Sequence, residues 1–297
     1  MTTEAADERY RDLDRWPLDQ AVQAMWEGQM AAVAALASAS GVLAEAAAAA
    51  ASRLRAGGRL VYVGAGTSGR IAIQDGVELT PTFDWPEDRL VFLMAGGDKA
   101  VTGAVEGAED DREAARAAIA GADVGPSDVV IGVAASGRTP FTCAALEAAR
   151  EAGALTVAMA NNSGAPLLAL GDHAVLLDTG AEVLAGSTRM KAGTAQKAAL
   201  NLFSTATMLA LGRVYEGRMV AMRPTNAKLR VRANAMVARF AGVDAVSAEA
   251  ALAASGNDIR RAVLVARGLA PAEAASLLEA HGGQLRGALE ALDKANG

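Results

Sequence analysis

The sequence has few of the residues that build disulfides and metal sites. Its 297 residues include one cysteine, Cys143, and two histidines, His173 and His281. A single cysteine excludes an intrachain disulfide, and two isolated histidines leave no spacing typical of a zinc site. We therefore expect a protein of a reducing compartment, with no metal site and no cofactor, in which Cys143 is a core residue. Aromatic residues are also scarce, and three tryptophans are interpreted as packing residues: Trp16, Trp26 and Trp85.

Basic charge and a secretion signal are lacking as well. The net charge is -6 and the pI is near 5.1, which argues against a nucleic-acid partner. The first residues show no basic region followed by an apolar core, so no signal peptide is expected. The most apolar stretch, Leu43 to Ala51, contains Glu45 and is typical of a helix, not of a membrane span. These features predict a cytoplasmic protein that binds a small molecule and no membrane.

Short apolar runs alternate with helical segments through the middle of the chain. Five runs are predicted to be strands: Leu60 to Val63, Leu90 to Met94, Val129 to Ala134, Leu155 to Met159 and Ala174 to Leu177. Helices are predicted near Ser68 to Glu78, Ala100 to Ile119 and Phe141 to Ala152. Because the apolar runs are continuous, the strands are expected to be buried on both faces, as in a parallel sheet. The alternation predicts an α/β fold with a doubly wound parallel sheet.

Helical segments flank this α/β region. Residues 1–54 predict an N-terminal helical segment, residues 55–238 the α/β domain, and residues 239–297 a small all-α C-terminal domain. Within the last region, Ala248 to Ala251 recurs as Ala272 to Ala275. The repeat predicts two helical hairpins, although alanine-rich helices also resemble one another by composition alone.

A glycine loop, Gly64 to Gly69, follows the first predicted strand and begins a helix. Unpaired N–H groups and the helix dipole favour an anion there. The same letters fit a dinucleotide-binding fingerprint, which requires an acidic residue about 20 positions further on. The first acid after the second strand is Asp98, 29 positions after Gly69 (98 minus 69), so the dinucleotide interpretation fits poorly. The candidate phosphate-binding residues here are Gly66, Thr67 and Ser68.

A second loop of this kind, Ser136 to Pro140, follows the third predicted strand. Hydroxyls and backbone amides from two loops can bind all three terminal oxygens of one phosphate. The alternative is that Ser136 and Thr139 only cap the next helix. Taken together the loops favour a phosphate ligand, with Ser136, Arg138 and Thr139 as candidate contacts.

The two loops, in this order, resemble the sugar isomerase (SIS) phosphosugar-binding domain. Two further segments, Glu106 to Asp110 and Gly186 to Lys197, narrow the resemblance to the N-acetylmuramic acid 6-phosphate etherases. The resemblance covers residues 10–235 and the helical tail. It implies a homodimeric lyase that releases D-lactate from N-acetylmuramic acid 6-phosphate during the recycling of cell-wall amino sugars. The product would be N-acetylglucosamine 6-phosphate.

The resemblance also implies the catalytic residues. It assigns Glu78 as the acid that protonates the departing lactate and later activates water, and Glu109 as the base at C2 of the sugar. Without it, Glu78 would be a solvated acid at the end of a helix, and Glu109 one charge of an acidic run. Candidate substrate contacts in the last motif are Ser187, Thr188 and Lys191.

One distance and two rival functions remain open at this stage. Were Ser68 and Glu78 on one unbroken helix, ten residues (78 minus 68) of about 1.5 Å each would separate them by roughly 15 Å. We therefore expect either an early break in the helix or a carboxylate from a second subunit. The rival functions are an aldose-ketose sugar-phosphate isomerase and a noncatalytic sugar-phosphate sensor resembling glucokinase regulatory protein.

Overall fold

The computed structural model describes residues 2–296, which form two compact units. Of the described residues, the first unit comprises 2–77 and 88–206, and the second comprises 78–87 and 207–296. The domain bounds proposed from the sequence stay a prediction. Each unit has its own buried apolar core.

The first unit is built on a parallel sheet. Its five strands are β1 (Leu60–Gly64), β2 (Leu90–Met94), β3 (Val129–Ala134), β4 (Leu155–Ala160) and β5 (His173–Leu176). The strands are all parallel, in the order β2-β1-β3-β4-β5. This arrangement confirms the predicted fold class. It also places every loop that follows a strand at the same edge of the sheet, where ligands bind in open α/β folds.

Helices cover both faces of this sheet. The first eight helices are α1 (Leu18–Ala34), α2 (Ser40–Arg55), α3 (Gly66–Val77), α4 (Leu79–Phe83), α5 (Lys99–Thr102), α6 (Arg112–Gly121), α7 (Pro140–Glu151) and α8 (Lys191–Ala210). On one face α6 and α7 pack over Val61, Val63 and Val130, all fully buried. A Cβ on Gly132 would lie 2.4 Å from Leu146 Cδ1, so α7 lies very close to β3. On the other face α2 and α3 pack on the sheet.

One predicted helix is wrong. The segment from Ala100 to Ile119 is two helices, α5 and α6, separated by a 3-10 turn. Gly107 interrupts the segment because its φ of 72° is left-handed, a backbone conformation that glycine adopts without a steric penalty. The Asp111 side chain then caps α6 by accepting a hydrogen bond from the N–H of Ala114 at 2.8 Å.

The second unit contains the helical tail. After a short hairpin of β6 (Val214–Tyr215) and β7 (Arg218–Met219), its helices are α9 (Ala227–Ala241), α10 (Ala245–Ala254), α11 (Ile259–Ala266), α12 (Pro271–Ala280) and α13 (Leu285–Asn296). Successive helices pack as α10 on α11 and α12 on α13. The two hairpins predicted from the internal repeat are therefore confirmed. Asp244 and Asp258 cap α10 and α11 with their side chains.

Among residues 2–296, the stretch 18–55 is the one that is long and apolar enough, by length and composition, to cross a membrane. It consists of α1, a 3-10 turn at Ala35–Ala39, and α2. Ala46, Ala50 and Ala51 of α2 are fully buried, and the helix packs against β4 and β5. The apolar residues of α2 thus serve the core of the first unit.

Candidate functional site

The glycine loop joins β1 to α3 through a very close approach of the backbone. A Cβ on Gly64 would lie 2.8 Å from both the Cα and the N of Gly69, and a Cβ on Gly69 would lie 2.3 Å from Met94 Sδ. Gly66 begins α3 with a left-handed φ of 53°. The absence of side chains at these positions brings the first turn of α3 against the end of β1. Ser68 is buried there and Thr67 is half-buried.

The second loop lies next to the first. Gly64 of β1 is paired with Val133 of β3, and neighbouring strands are about 4.8 Å apart, so the loops leave the sheet side by side. The Ser136 hydroxyl accepts a hydrogen bond from the N–H of Arg138 at 3.1 Å. Thr139 is the N-cap of α7, yet its side chain makes no capping hydrogen bond. Capping alone therefore does not account for Thr139, and the Arg138 side chain is exposed.

The loop before α8 lies against the glycine loop. A Cβ on Gly193, in the first turn of α8, would be 3.3 Å from Ile71 Cδ1 and 3.8 Å from Thr67 Cγ2. It would also be 3.3 Å from the Thr188 carbonyl oxygen. The structure thus brings Thr188 close to Thr67. Ser187, its neighbour, is half-buried.

Lys191 and a buried glutamate hold the start of α8. The ammonium of Lys191 donates to the Ala181 carbonyl at 2.8 Å, so a main-chain oxygen of the protein already binds this candidate contact. Glu182 is fully buried, and its carboxylate accepts from the N–H groups of Lys191 and Ala192, both at 2.9 Å. A carboxylate at a helix N-terminus is stabilised by the unpaired N–H groups and the helix dipole. Sequence reasoning missed Glu182, because nine residues (191 minus 182) separate it from the helix that it caps.

A second buried carboxylate lies on α3. Asp75 is only 2% exposed, and it accepts hydrogen bonds from Asn201 Nδ2 at 2.6 Å, Ser204 Oγ at 3.3 Å and the Tyr62 hydroxyl at 3.3 Å. Burial raises the pKa of the Asp75 carboxyl, while the hydrogen bonds from Asn201 and Ser204 and the charge of Lys197 act in the opposite direction. These bonds tie α3 to β1 and to α8. Asp75 was not singled out from the sequence, since its partners are distant along the chain.

Glu109 lies on an exposed turn, and an arginine of α3 anchors the segment that precedes this turn. It belongs to the 3-10 turn Ala108–Asp110 of the first unit, and its side chain is exposed. Arg70, directly after the glycine loop, donates from Nε to the carbonyls of Ala100 and Val101, both at 3.0 Å. A further hydrogen bond joins Arg70 to the Gly103 carbonyl. The end of α5, which leads to Glu109, is thereby fastened beside the glycine loop.

Glu78 follows the last residue of α3 and belongs to the second unit. Its side chain is exposed and makes no capping hydrogen bond to α4. Because α3 is continuous from Gly66 to Val77, the early break in this helix, one of the two expected alternatives, is wrong. The other alternative, a carboxylate from a second subunit, stays a prediction. Ser68 and Val77 are nine residues apart (77 minus 68), or roughly 14 Å along the helix axis.

Two interpretations of side chains have opposite outcomes. Cys143 is buried, and burial raises the pKa of its thiol, so the structure confirms it as a core residue. Trp85 is also buried, with the Arg213 guanidinium 5.4 Å from its ring centroid. Trp26, however, is 55% exposed, and its interpretation as a packing residue of the chain's own core is wrong.

Comparison with known proteins covers nearly the whole chain. The chain is 50% identical to the N-acetylmuramic acid 6-phosphate etherase of Deinococcus radiodurans, over 96% of this chain and 93% of that protein. The etherase of Streptomyces avermitilis is 43% identical, with 98% and 94% covered, and that of Halalkalibacterium halodurans is 39% identical, with 99% of both covered. The chain belongs to the N-acetylmuramic acid 6-phosphate etherase family.

Two domain models match parts of this etherase-family chain. The SIS domain matches residues 112–206, and the N-terminal SIS domain of glucokinase regulatory protein matches residues 42–150. Together the matches span the parallel sheet and both hydroxyl-bearing loops. They agree with the SIS fold expected from those loops.

Proposed function

We propose that the protein is a lyase that cleaves the D-lactyl ether of N-acetylmuramic acid 6-phosphate, giving N-acetylglucosamine 6-phosphate and D-lactate. The observation that carries this proposal is the 50% identity to an etherase over 96% of the chain. The geometry supports it, because two hydroxyl-bearing loops leave adjacent parallel strands at one edge of the sheet. The activity serves the recycling of cell-wall amino sugars in the cytoplasm.

Elimination is the easier route to break an ether at C3 of a sugar, since an alkoxide is a poor leaving group in direct hydrolysis. In the open-chain aldehyde, the carbonyl acidifies the C2 proton. A base removes that proton, the C3–O bond breaks, and an acid protonates the oxygen that leaves with lactate. Water then adds at C3 of the unsaturated aldehyde, and a proton returns to C2. Two carboxyl groups in different protonation states suffice for all these transfers.

In this proposal Glu109 is the base at C2, and Glu78 is the acid for lactate and then the base for water. Arg70 fastens residues 100 to 103 beside the glycine loop, and Glu109 follows six residues later (109 minus 103), which supports its place near a bound sugar. The exposed carboxylate of Glu109 is free of any ion pair among the described residues that would hold it away from a substrate.

The phosphate group would bind to the paired loops. Backbone N–H groups at the start of α3 and the hydroxyls of Thr67, Ser68, Ser136 and Thr139 are suited to its oxygens, while the exposed Arg138 adds positive charge. Ser187 and Thr188 are proposed as contacts to the sugar. Lys191 is a weaker candidate, since its ammonium already donates to the Ala181 carbonyl.

The test is turnover of N-acetylmuramic acid 6-phosphate in deuterium oxide enriched in oxygen-18. We expect D-lactate without heavy oxygen, and N-acetylglucosamine 6-phosphate with deuterium at C2 and oxygen-18 at C3. Mass spectrometry of both products measures this. Heavy oxygen in the lactate hydroxyl would instead show attack at the lactyl carbon and would rule out elimination.

The same experiment separates the rival functions. Deuterium at C1 of a ketose product, with no lactate, would indicate an aldose-ketose isomerase, because C2 of a ketose is the carbonyl carbon and bears no hydrogen. Binding of the sugar phosphate without any conversion would indicate a sensor, the function suggested by the match of residues 42–150 to the glucokinase regulatory protein domain.

We further propose that the protein is a homodimer that uses the exposed face of α1. Five apolar side chains spaced by three or four residues are more than half exposed on this helix: Leu18, Val22, Trp26, Met30 and Val33. The opposite face, including Ala24 and Gly28, is buried within the unit. An exposed apolar stripe of this length marks an interaction surface. A second copy of the chain is the occupant that the family resemblance implies.

Trp26→Glu combined with Met30→Glu is expected to convert the dimer into a monomer, because two charges would be buried without partners at the interface. Sedimentation equilibrium measures the mass. Val246→Glu is the matched control, since Val246 is 78% exposed in the second unit and should leave the dimer intact. A double variant that sediments as a dimer would refute the assignment of α1.

A further inference from the structure

Thr3 is fully buried although its neighbours in the sequence, Thr2 and Glu4, are exposed. A short polar side chain is rarely so enclosed unless its hydrogen bonds are satisfied. Thr3 meets this condition through one residue, Asn162, which follows β4 at the edge of the sheet that carries the candidate site. This contact is between residues 159 positions apart in the chain.

Asn162 is 3% exposed and uses both ends of its amide. Its Oδ1 accepts from the Thr2 hydroxyl at 3.0 Å and from the N–H of Thr3 at 3.3 Å. Its Nδ2 donates to the Thr3 hydroxyl and to the Ala135 carbonyl, both at 2.9 Å. Four hydrogen bonds saturate the side chain. Asn162 thus connects residues 2 and 3 to the peptide that precedes Ser136.

The hydrogen bond from Asn162 to the Ala135 carbonyl affects the direction of the Ser136 N–H. Ser136 is one of the candidate phosphate-binding residues. The Ala135 carbonyl and the Ser136 N–H belong to one planar trans peptide, so they point in opposite directions. Once Asn162 holds the carbonyl, the orientation of the Ser136 N–H is determined as well. The N–H of Asn161 donates to the same carbonyl at 3.0 Å, so Thr3, through Asn162, supports one of the two contacts that orient the start of the second loop.

The other side of the same segment reaches the loop before α8. The Thr3 carbonyl accepts from the N–H of Gly186 at 3.3 Å. Gly186 has a left-handed φ of 73°, and a Cβ there would lie 3.1 Å from Glu4 Oε2. Gly186 in turn accepts from the N–H of Thr188 at 2.9 Å. Residues 2–4 therefore hold the Ser187 and Thr188 loop as well as the Ser136 loop.

We infer that residues 2–4 form a strap that aligns these two loops for the sugar phosphate, with Thr3 as a positioning residue that does not itself contact the ligand. This inference rests on the binding of a phosphosugar proposed above, but not on the lyase chemistry. The strap lets the loop that follows β3 and the loop that precedes α8 act as one site, although these contacts include no hydrogen bond between the two loops.

Thr3→Val tests the strap because valine has the shape of threonine without the hydroxyl. The variant leaves a buried N–H of Asn162 unsatisfied, and we expect the Kd for N-acetylglucosamine 6-phosphate, measured by titration calorimetry, to rise about tenfold. In lactate-release assays KM should rise by a similar factor while kcat stays within about twofold. Thr3→Ser keeps the hydroxyl, so its Kd should stay near the wild-type value.

Two further variants complete the test. Glu8→Gln, at an exposed position beyond the strap, is the control and should leave the Kd unchanged. Thr2→Val removes one bond to Asn162 at an exposed position that cannot unfold the chain, and should raise the Kd about threefold. Unchanged or tighter binding in both threonine variants would overturn the strap. Absence of lactate release by the wild type, with the Kd pattern intact, would reject the lyase function and leave the strap standing.

Discussion

Replacing Glu109 with glutamine is expected to lower kcat by about a thousandfold, because an amide cannot take the C2 proton and general base catalysis contributes about 10²–10⁴. The folded state should be unaffected, since Glu109 is exposed on a 3-10 turn. Release of D-lactate from N-acetylmuramic acid 6-phosphate measures the rate. Wash-in of deuterium at C2 of unreacted substrate measures proton removal separately.

Glu78→Gln distinguishes the two carboxylates. If Glu78 protonates the leaving group, this variant loses lactate release to a similar extent but still exchanges the C2 proton. Glu109→Gln loses both reactions. The reverse pattern would exchange the two assigned roles.

Glu106→Gln is the matched control for Glu109. Glu106 is exposed, lies three residues earlier in the same acidic run, and should change kcat by less than about twofold because the proposal gives it no proton to transfer. A Glu109→Gln variant with the wild-type rate would show that Glu109 is only one charge in this run, the alternative that the sequence left open.

Gly64→Ala is expected to have the second large effect. The added Cβ would lie 2.8 Å from the Cα and the N of Gly69 and 3.2 Å from the Val133 carbonyl oxygen. All three atoms belong to the backbone, so no side chain can move aside, and overpacking of this kind costs about 3 kcal/mol of unfolding free energy. Because α3 must shift away from β1, we also expect at least tenfold weaker binding of N-acetylglucosamine 6-phosphate. Urea unfolding and calorimetry measure the two effects.

Gly41→Ala is the matched control for this substitution. Gly41 lies in α2, where a Cβ would have no atom within 4 Å. The Gly41→Ala variant should therefore have an unfolding free energy within about 1 kcal/mol of the wild-type value, changed in the stabilising direction. Should Gly64→Ala bind and unfold like the wild type, the close packing of α3 on β1 would not matter for the site.

Local patterns were enough for the fold of this chain. Each strand of the sheet is a continuous apolar run, such as Val129–Ala134, and burial on both faces leaves that signature in the sequence. The tail hairpins were likewise visible because each repeats a helical pattern. The segment from Ala100 to Ile119 was misread because its alanines favour a helix. The sequence does not show that Gly107 adopts a left-handed φ and interrupts the helix, since a helix can also tolerate a glycine.

The candidate site was only partly accessible from the sequence. Both hydroxyl-bearing loops were found because each follows a strand and begins a helix, a local arrangement. The carboxylates Glu78 and Glu109 came from family resemblance, as neither has a local feature that separates it from other exposed acids. Trp26 was misinterpreted, because a sequence does not show which face of an amphipathic helix its own core leaves uncovered.

The sequence by itself determined the parallel sheet, the helical tail and the two hydroxyl-bearing loops, since each leaves a pattern among residues that are close together in the chain. Only the tertiary structure showed that Thr3 is held by Asn162, that Glu182 caps α8, and that Arg70 anchors the segment before Glu109. These contacts join residues 9 to 159 positions apart. Hydrogen bonds of this kind depend on where the folded backbone places two polar groups, and no spacing along the chain records that.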